Sequence, residues 1–508
     1  MKRIFYGLLI LVGLFGRAEA QQGINNNWLM GYDSEWGLPF GISKVDFFSG
    51  VPVMNYDSLE MEFKHSHANI SDSQGNLLFY TNGFYIADAS NDTMQNGSGI
   101  NPSAYTTYFD DGLYIPQSHV IIPKPGSNSI YYMFHTTADT FPGYTHSKHL
   151  YLSEIDMSLN GGLGAVTTKN QILYSDSMNY GKLAMCKTAN GRDWWLMVST
   201  IGSNKFVKFL ITVNGVILGP YYQNIGVNRV AGAGEAWFSP DGKRFAQYWK
   251  NIPSVPVSVE LFDFNRCTGM LSNAVSLPMG HENSTQVGLA FSPNSNVLYV
   301  SNVFHVYQYD LTAANIAASQ QVVATYDNFM SISPNCATCP PLQTLFCLSA
   351  LAPDGKIYIS TGNSTVHWHT IDNPDSLGIG CNVNQHSVQV PAYYFNTIPN
   401  HPNYFLGCDT TLGCTTCFTG LSDNTASGAI SARAAPNPTT GVFTLQFDVQ
   451  PVSGELEIYD VLGNVIYKDY VAAWSQFKRV DISSLADGVY LCKMRWKDRV
   501  ASVKVVKE

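Results

Sequence analysis

Ser239-Pro-Asp-Gly-Lys-Arg-Phe-Ala246 and Ala352-Pro-Asp-Gly-Lys-Ile-Tyr-Ile359 each place a tight turn directly before a short apolar strand. Asp-Gly supplies the positive φ angles of a two-residue hairpin turn, and the preceding proline presets a turn dihedral. Four further segments combine turn residues with such a strand: Asp72–Tyr80, Gly126–Phe134, Asn190–Val198 and Ser292–Val300. A hairpin repeated in this way predicts a repetitive all-β fold.

The hairpins recur at a fairly regular spacing. The intervals are 53, 63, 51, 53 and 60 residues between the markers Gly75, Asn128, Gly191, Gly242, Ser295 and Gly355. A four-stranded propeller blade takes roughly 40–50 residues, so these units read as blades with extended loops. Residues 24–407 have room for nearly seven units, and six hairpins are evident; six or seven blades are both open, and we favour seven. The alternatives are an array of β-sandwiches or a β-solenoid.

A propeller needs a device that closes its ring, because free sheet edges invite pairing with other chains. The segment Ile42–Phe48 has the character of a strand but no hairpin turn of its own. We therefore expect it to be the outer strand of the last blade, whose other strands come from about residues 350–407.

The composition changes after the propeller. Small polar residues dominate 409–433, which predicts a linker. Short alternating strands and turns then fill 434–508, which predicts a small Ig-like β-sandwich. The predicted organisation is therefore a signal peptide at 1–20, a β-propeller at 21–408, a linker at 409–433 and a C-terminal β-sandwich at 434–508.

The N-terminus has the pattern of a secretory signal peptide. Lys2 and Arg3 precede an apolar run, and Ala18 and Ala20 form a small-x-small cleavage site before Gln21. An uncleaved anchor is the alternative, although the run is shorter than the about 20 residues that span a bilayer. No other long apolar run follows, so we expect no transmembrane segment in the mature chain.

The propeller region resembles WD40-like and TolB-type propellers, and a propeller family of secreted Bacteroidetes proteins. The resemblance is carried by Ile70–Gly83, Ser239–Lys243, Phe262–Gly269, Phe291–Pro293 and Pro353–Ser360. It covers about 380 residues and implies a fold and a phylum, but no ligand.

The C-terminal residues 434–508 resemble the type A sorting domain of the type IX secretion system. The matching residues are Pro436, Asn437, Pro438, Gly441, Asp460, Gly463, Asp487, Gly488, Tyr490 and Lys507. The resemblance implies recognition by the secretion machinery at the outer membrane, usually followed by removal of the domain. It also implies passage through the periplasm to the cell surface or the medium. An ordinary Ig-like adhesion domain is the alternative.

Composition excludes some functions. The net charge is −9, and residues 24–420 contain four arginines: Arg192, Arg229, Arg244 and Arg266. Nucleic-acid binding leaves a basic footprint, which is missing here, so we expect no nucleic-acid partner. With 45% hydrophobic and 13% charged residues, the chain has a composition that can bury a core.

The ten cysteines favour disulfides. Two Cys-x-x-Cys pairs, 336/339 and 414/417, resemble zinc half-sites, but they lie too far apart for a usual zinc ribbon. Export places the chain in an oxidising environment, where disulfides form and persist. We therefore predict structural disulfides rather than zinc, and the connectivity stays open.

Candidate ligand-binding residues are few, and no familiar catalytic motif occurs. Two histidine pairs, His65/His67 and His367/His369, have the spacing that puts both side chains on one face of a strand. Either pair could contribute to a metal site, although structural roles are the simpler interpretation. Segment 88–101 is rich in oxygen ligands and could bind calcium, although it lacks EF-hand spacing; otherwise no cofactor is predicted.

Aromatic pairs offer platforms for sugar stacking. They are Trp194-Trp195, Tyr221-Tyr222 and Tyr393-Tyr394. Because neighbouring residues on a strand face opposite ways, we expect at least one member of each pair to be in the core.

The sequence therefore favours an exported, non-catalytic binding protein whose propeller presents its loops to a glycan or a protein. The alternative is an extracellular propeller enzyme, such as a hydrolase or a lactonase-like enzyme, with its site at the central channel. Fold analogy does not separate the two. A channel with converging carboxylates, histidines or a metal would favour the enzyme, whereas a plugged channel would favour the binding protein.

Overall fold

The structure is a computed structural model that describes residues 23–109, 111–139, 146–179, 181–215, 217–229, 232, 234–249, 258–279, 287–414 and 430–508. Strands make up 52% of the chain and helices 5%, which confirms the predicted all-β class. The predicted signal peptide, with Ala18, Ala20 and Gln21 at its cleavage site, lies outside the described residues.

The described part of residues 27–394 forms seven successive antiparallel blades, numbered here 1 to 7, and strands adjacent in sequence are neighbours within each blade. One parallel bridge, between Gln95 and Ala165, joins blades 2 and 3 into a single eight-stranded sheet. Blade 1 has three strands: β1 (Asn27–Tyr32), β2 (Gly41–Asp46) and β3 (Val53–Asp57). Blade 2 contains β4 (Ala68–Ser71), β5 (Leu77–Thr81), β6 (Tyr85–Asp88) and β7 (Thr93–Ser98). After helix α1 (Ala104–Tyr108), blade 3 contains β8 (His119–Pro123), β9 (Ile130–Thr136), β10 (Ser147–Asp156) and β11 (Ala165–Met178).

The remaining blades also have four strands each. Blade 4 contains β12 (Ala184–Lys187), β13 (Trp194–Ser199), β14 (Ser203–Ile211) and β15 (Ile217–Arg229). Blade 5 contains β16 (Ala236–Phe238), β17 (Arg244–Trp249), β18 (Ser258–Asn265) and β19 (Met270–Pro278). Blade 6 contains β20 (Gly288–Phe291), β21 (Val297–Asn302), β22 (His305–Asp310) and β23 (Gln321–Thr325). A small hairpin of β24 (Met330–Ser331) and β25 (Leu342–Gln343) precedes blade 7, which contains β26 (Ser349–Leu351), β27 (Ile357–Ile359), β28 (Thr365–Ile371) and β29 (Val383–Tyr394). Short 3-10 turns occur at Ser34–Trp36, Asn160–Gly162, Val213–Gly215, Ala317–Ser319, Gly378–Cys381 and Thr410–Leu412.

The repeated turns lie where the hairpin pattern predicts them, between the first and second strands of blades 2 to 7. Gly75 and Gly355, at equivalent turns in blades 2 and 7, both have a φ of 81°. That backbone region suits glycine because it has no Cβ. Blade 1 has no such turn, since residues 33–40 join β1 to β2, which explains why six hairpins accompany seven blades.

The prediction for Ile42–Phe48 was wrong. Most of this segment forms β2, which pairs with β1 and β3 in blade 1 and not with the last blade. All four strands of blade 7 come from residues 349–394. Blades 1 and 7 meet instead through packed faces: the Trp28 ring lies 5.8 Å from the rings of both Tyr358 and Trp368. Aromatic packing therefore joins the ends of the ring in place of a shared sheet.

The axis of the ring is filled by the chain itself. After β29, residues 395–409 (the axial segment) run past the inner ends of the blades. Its side chains donate hydrogen bonds to carbonyl groups around the ring: Thr397 to Phe63, Asn400 to His119 and Leu183, Asn403 to Pro240, and Tyr404 to Ile121. Buried carbonyl groups need such partners, and this segment supplies them to several blades at once.

Two disulfides lie within the described residues, which confirms the prediction of disulfides. One joins Cys336 to Cys339. The other joins Cys267, in the turn between β18 and β19, to Cys414. Because Cys414 follows the axial segment directly, the second bond fixes the point where the chain leaves the propeller. The buried thiols of Cys186, Cys347, Cys381 and Cys492 are free.

The C-terminal module is a sandwich of two sheets, which confirms the predicted β-sandwich. One sheet has the order β30-β31-β34 and the other β33-β32-β35-β36. The strands are β30 (Ala432–Ala435), β31 (Val442–Phe447), β32 (Gly454–Tyr459), β33 (Val465–Val471), β34 (Phe477–Asp481), β35 (Gly488–Trp496) and β36 (Arg499–Lys507). Phe443, Leu456, Met494 and Trp496 pack between the sheets as a separate core.

Replacing Asn400 with alanine should destabilise the propeller. The Asn400 Nδ2 donates to the carbonyl groups of His119 and Leu183 at 3.0 and 2.9 Å, and the side chain is buried. Asn400→Ala leaves both carbonyl groups without this donor, so we expect the free energy of unfolding in urea to fall by about 1–3 kcal/mol. Asn55→Ala, at an exposed site on β3, is the matched control. Equal stability of the two variants would contradict the role of the axial segment.

Candidate functional site

The structure places His65 and His67 inside the protein, in the connection that leads into β4. The His65 ring packs against Tyr114 and Phe395, with ring centroids 3.6 and 4.7 Å apart. Burial lowers the pKa of His65 to about 3 and the pKa of His67 well below its usual value. Among the described residues, neither ring has a hydrogen-bond partner. Both histidines therefore act as neutral packing groups.

His367 and His369 project from β28 toward separate partners. The His367 Nδ1 lies 2.8 Å from the Ser331 hydroxyl, and the His369 Nδ1 accepts the backbone N–H of His386 at 2.9 Å. Within the described residues, the side chains grouped closely enough to share a cation are Asp33, Glu35 and Glu62. The two predicted histidine pairs are not brought together with further ligands there.

The oxygen-rich segment 88–101 is divided among three places. The Asp88 carboxylate accepts the N–H of Ser90 at 2.8 Å in the β6–β7 turn, and the Asn96 amide donates to the Val166 carbonyl in blade 3. The Asn101 side chain is buried next to two histidine rings. These oxygens and amides are engaged in folding contacts with different parts of the chain.

Sequence reasoning missed a buried histidine network near the axis. Asn101 bridges His119 and His135, with its amide nitrogen 3.0 Å from the His119 Nε2 and its oxygen 2.5 Å from the His135 Nδ1. His401, in the axial segment, lies 3.1 Å from the Asn69 carbonyl. Burial lowers the pKa of His119 to about 3 and that of His401 to about 4. These residues come from distant parts of the chain, so no local motif connects them.

Mild acid should destabilise the protein through these neutral histidines. The unfolded chain binds protons near pH 6.5, whereas folded His65, His119 and His401 do so only near pH 3 to 4. Stability therefore falls as the pH decreases below 6.5, by about 1.4 kcal/mol per pH unit for each histidine. Burial raises the pKa of Glu235 to about 8 from 4.5, and this shift acts in the opposite direction, offsetting one histidine.

We expect the free energy of unfolding, measured by urea titration, to decrease between pH 6.5 and 4.5. The variant His401→Gln should lower the slope of the unfolding free energy against pH by the equivalent of about one bound proton, because one buried titrating group is gone. An unchanged slope would show that His401 does not resist protonation in the folded chain.

The aromatic pairs are in different environments. Trp194-Trp195 and Tyr393-Tyr394 are buried, so the prediction of at least one core member is confirmed for these pairs. It was wrong for the third pair: Tyr221 and Tyr222 are 45% and 57% exposed. The reason is that β15 is the outermost strand of blade 4, so its side chains have no further strand to pack beneath.

A groove runs between the outer strands of two blades, β11 of blade 3 and β15 of blade 4. We call it the rim groove. A cavity of about 350 Å³ opens in it, and its lining includes Tyr132, Glu154, Thr168, Gln171, Ile172 and Ile217. The lining thus offers carboxylate, amide and hydroxyl groups beside the side chains of Tyr132, Ile172 and Ile217.

Tyr222 lies on β15, beyond the part of the strand that lines the cavity. Its ring contacts residues of β11 and β14. The ring of Tyr174 on β11 lies 6.3 Å from the Tyr222 ring, and the Lys205 ammonium lies 5.7 Å from the Tyr222 ring centre. Lys205 also donates to the Asp176 carboxylate at 2.6 Å. Burial alone would raise the pKa of Asp176, but hydrogen bonds from Lys205 and Tyr174 outweigh it and lower the pKa. The Asp176 carboxylate is therefore ionised at neutral pH, where it holds the Lys205 ammonium near the Tyr222 ring.

The cavity has a second fixed charge pair on its opposite side. Lys124 donates to Glu154 at 3.0 Å, and its ammonium lies 5.2 Å from the Tyr132 ring centre. Tyr132 in turn donates to the Gly215 carbonyl at 3.4 Å. These contacts hold the polar groups of the groove in position before any ligand binds. The sequence had marked Tyr222 through its aromatic pair, but nothing local marked the residues on β9, β10 and β11.

A smaller cavity, of about 100 Å³, lies at one end of the propeller axis. We call it the axial cavity. It is bounded by inner strands of blades 5, 6 and 7 and by the axial segment, and its lining includes Trp28, Phe238, Phe291, His401, Leu406 and Trp474. The last of these belongs to the C-terminal module. The axial segment also contributes Pro399, Pro402, Asn403 and Phe405 to this lining.

The predicted sorting motifs lie close together in the C-terminal module. The Asn437 side chain donates to the Lys504 carbonyl at 2.7 Å and accepts the N–H of Val506 at 2.9 Å. Lys507 donates to the Asp487 carboxylate at 2.7 Å. The remaining motif residues, Pro436, Pro438, Gly441, Asp460, Gly463, Gly488 and Tyr490, lie in the loops and strand ends of the same sandwich. The final strand β36 is thus fixed at its end by two of the motifs.

Residues 434–508 match the family model described as a secretion system C-terminal sorting domain. The chain therefore carries a type IX sorting domain, which implies secretion to the cell surface or the extracellular space. We refer to this module below as the sorting domain. No curated protein sequence matches the chain. Among the described residues, no helix is long and apolar enough to cross a membrane.

Several solved structures have a distant likeness to the chain. The β-propeller domain of Swd1 from Myceliophteria thermophila is 8% identical to this chain. The alignment covers 66% of this chain and 90% of the Swd1 domain, with a TM-score of 0.38. The periplasmic gluconolactonase PpgL of Pseudomonas aeruginosa is 11% identical, with 75% and 97% covered and a TM-score of 0.34. A functionally unknown protein from Desulfotomaculum acetoxidans is 14% identical, with 74% and 99% covered and a TM-score of 0.38. The propeller assignment depends on the chain's own sheet topology, and likenesses this distant carry no information on ligand or activity.

Removal of the sorting domain should stop export. A chain ending at residue 433 keeps every strand of the propeller but lacks residues 434–508. In a host with a type IX system, we expect it to accumulate in the periplasm, whereas the full chain reaches the surface or the medium. Cell fractionation with immunoblotting measures this. Asp498→Ala, at an exposed site in the turn between β35 and β36 of the sorting domain and outside the sorting motifs, is the control, and surface delivery of the truncated chain would contradict the assignment.

Proposed function

We propose that this exported protein is a non-catalytic glycan-binding protein whose ligand occupies the rim groove. The observation that carries the proposal is Tyr222, a ring that is 57% exposed, contacts Lys205 and Tyr174, and lies on the same strand as Ile217 of the cavity lining. A pyranose has apolar C–H faces and a rim of hydroxyl groups. A rigid tyrosine offers apolar contact area at low conformational entropy, and the carboxylate and amide groups nearby can bond hydroxyls.

Two features support binding along the rim rather than catalysis at the axis. The axial segment occupies the central channel, where the alternative, an extracellular propeller enzyme, would have its site. The buried arginines serve the fold: Arg266 donates to the carbonyl groups of Thr188 and Gly407, and Arg229 pairs with Glu260 at 2.8 Å. The rim groove, by contrast, is open, and its lining includes Glu154, which is paired with Lys124 at 3.0 Å.

Replacing Tyr222 with alanine should weaken glycan binding about tenfold or more, because loss of a stacking ring removes about 1.4 kcal/mol or more. The full chain is first screened for thermal stabilisation by bacterial and plant polysaccharides, since a ligand of the folded state raises apparent stability. Affinities for the binding glycan are then measured by calorimetry.

Tyr221→Ala is the matched control. It removes the same side chain from the neighbouring position, where the ring packs near Trp195 at 6.2 Å instead of beside Tyr174. The control should bind as tightly as the wild type. If no polysaccharide binds, or if both variants bind equally well, glycan binding in the rim groove is wrong.

A further inference from the structure

A loop of the sorting domain forms part of the wall of the axial cavity. Residues 472–476 connect β33 to β34, and we call them the tryptophan loop. Trp474 lines the axial cavity and packs against the cluster that includes Cys186, Phe245 and Leu406. Its backbone has a φ of 60°, and its N–H donates to the Gln450 carbonyl at 2.8 Å. The backbone of the loop is therefore held by the sorting domain, whereas the Trp474 side chain packs against the propeller.

Gln476 fixes the tryptophan loop to the propeller through three hydrogen bonds. Its backbone N–H donates to the Pro353 carbonyl at 3.0 Å. Its side chain accepts the N–H of Gly23 at 3.1 Å and donates to the Asn25 side chain at 3.2 Å. Gln476 is 1% exposed, so this contact excludes water. Polar groups buried and paired in this way specify one docked geometry.

Glycines on the propeller make the close approach possible. A Cβ at Gly355 would lie 2.7 Å from the Ala472 Cβ, and a Cβ at Gly50 would lie 2.3 Å from the Thr444 Cγ2. The edge of the contact includes a hydrogen bond from the Tyr470 hydroxyl to the Asp375 carboxylate. The propeller face is thus contoured to this side of the sorting domain.

We propose that the axial cavity is a receptor for an aromatic side chain of a peptide, and that the sorting domain is its intramolecular plug. In the intact chain, Trp474 closes one side of the cavity and blocks a competing peptide. Separation of the sorting domain opens the cavity. Among the described contacts between the two parts, none involves Asn437, Asp460, Asp487 or Lys507, so the plug and the sorting motifs occupy different surfaces of the domain.

The linkage between the two parts lets a modest contact keep the cavity closed. Joining two binding partners in one chain makes their contact intramolecular, with an effective concentration that reaches the millimolar range. A contact with a dissociation constant below about 1 mM is therefore mostly closed in the intact chain. The same contact opens at micromolar concentrations once the connection is cut, provided that its dissociation constant exceeds the protein concentration.

The first test measures the contact itself. A protease site is placed within residues 420–428, the full chain is cut, and the fragments are separated. Rebinding of the sorting domain to the propeller is then measured by calorimetry. We expect a dissociation constant below 1 mM, weakened at least tenfold by Trp474→Ala or by Gln476→Ala. Leu462→Ala, which removes an exposed side chain elsewhere on the same domain, is the control.

The second test measures the receptor. A synthetic fluorescent peptide with the sequence of residues 470–477 should bind the separated propeller, and the intact chain should bind it at least tenfold more weakly. A peptide with alanine in place of Trp474 should not bind. Failure of the sorting domain to rebind below 1 mM, or equal peptide binding by the intact and cut proteins, would overturn the proposal. Because Tyr222 is absent from the axial cavity lining, these results are independent of glycan binding in the rim groove.

Discussion

The hydrogen bonds made by the axial segment are the constraint on which the rest of the propeller depends. Backbone pairing between blades is sparse among the described residues: β7 pairs with β11 at one position, and isolated bridges join Gly31 to Phe63, Met178 to Thr200 and Val303 to Phe346. Strand pairing therefore contributes little to holding the ring together. Face-to-face packing joins neighbouring blades, and residues 395–409 supply donors to the carbonyl groups that converge on the axis. Arg266 then holds the end of this segment through the Gly407 carbonyl. The disulfide between Cys267 and Cys414 fixes the chain exit that follows.

A filled axis determines where binding can occur. Inner strands such as β4 and β20 are buried on both faces, and their side chains have little freedom to change without loss of packing. The outer strand β15 is largely exposed, so residues such as Tyr222 can vary without disturbing the core. The rim groove follows from this arrangement, since it lies where two outer strands face each other across a gap between blades.

The sorting domain has its own core and also contacts the propeller. Its core is separate from that of the propeller. Yet its Trp474 and Gln476 are in contact with the propeller through surfaces that fit closely. A domain that serves only as an export signal has no need for such a close fit. The contact therefore connects the export signal physically with the exposure of the propeller axis.

Sequence by itself determined the features that depend on local chemistry: the hairpin turns at Gly75 and Gly355, the all-β class, the β-sandwich and the sorting motifs. Turn geometry and strand alternation are set by neighbouring residues, so they can be recognised without a structure. The closure of the ring, the histidine network around Asn101, the rim groove and the docking of Trp474 were decided only by the tertiary structure. Each of these joins residues that are tens to hundreds of positions apart, and burial then gives the same residue types a different role. His65 and His67 show this plainly: their spacing suits a metal site, but the fold surrounds them with aromatic rings and keeps them neutral.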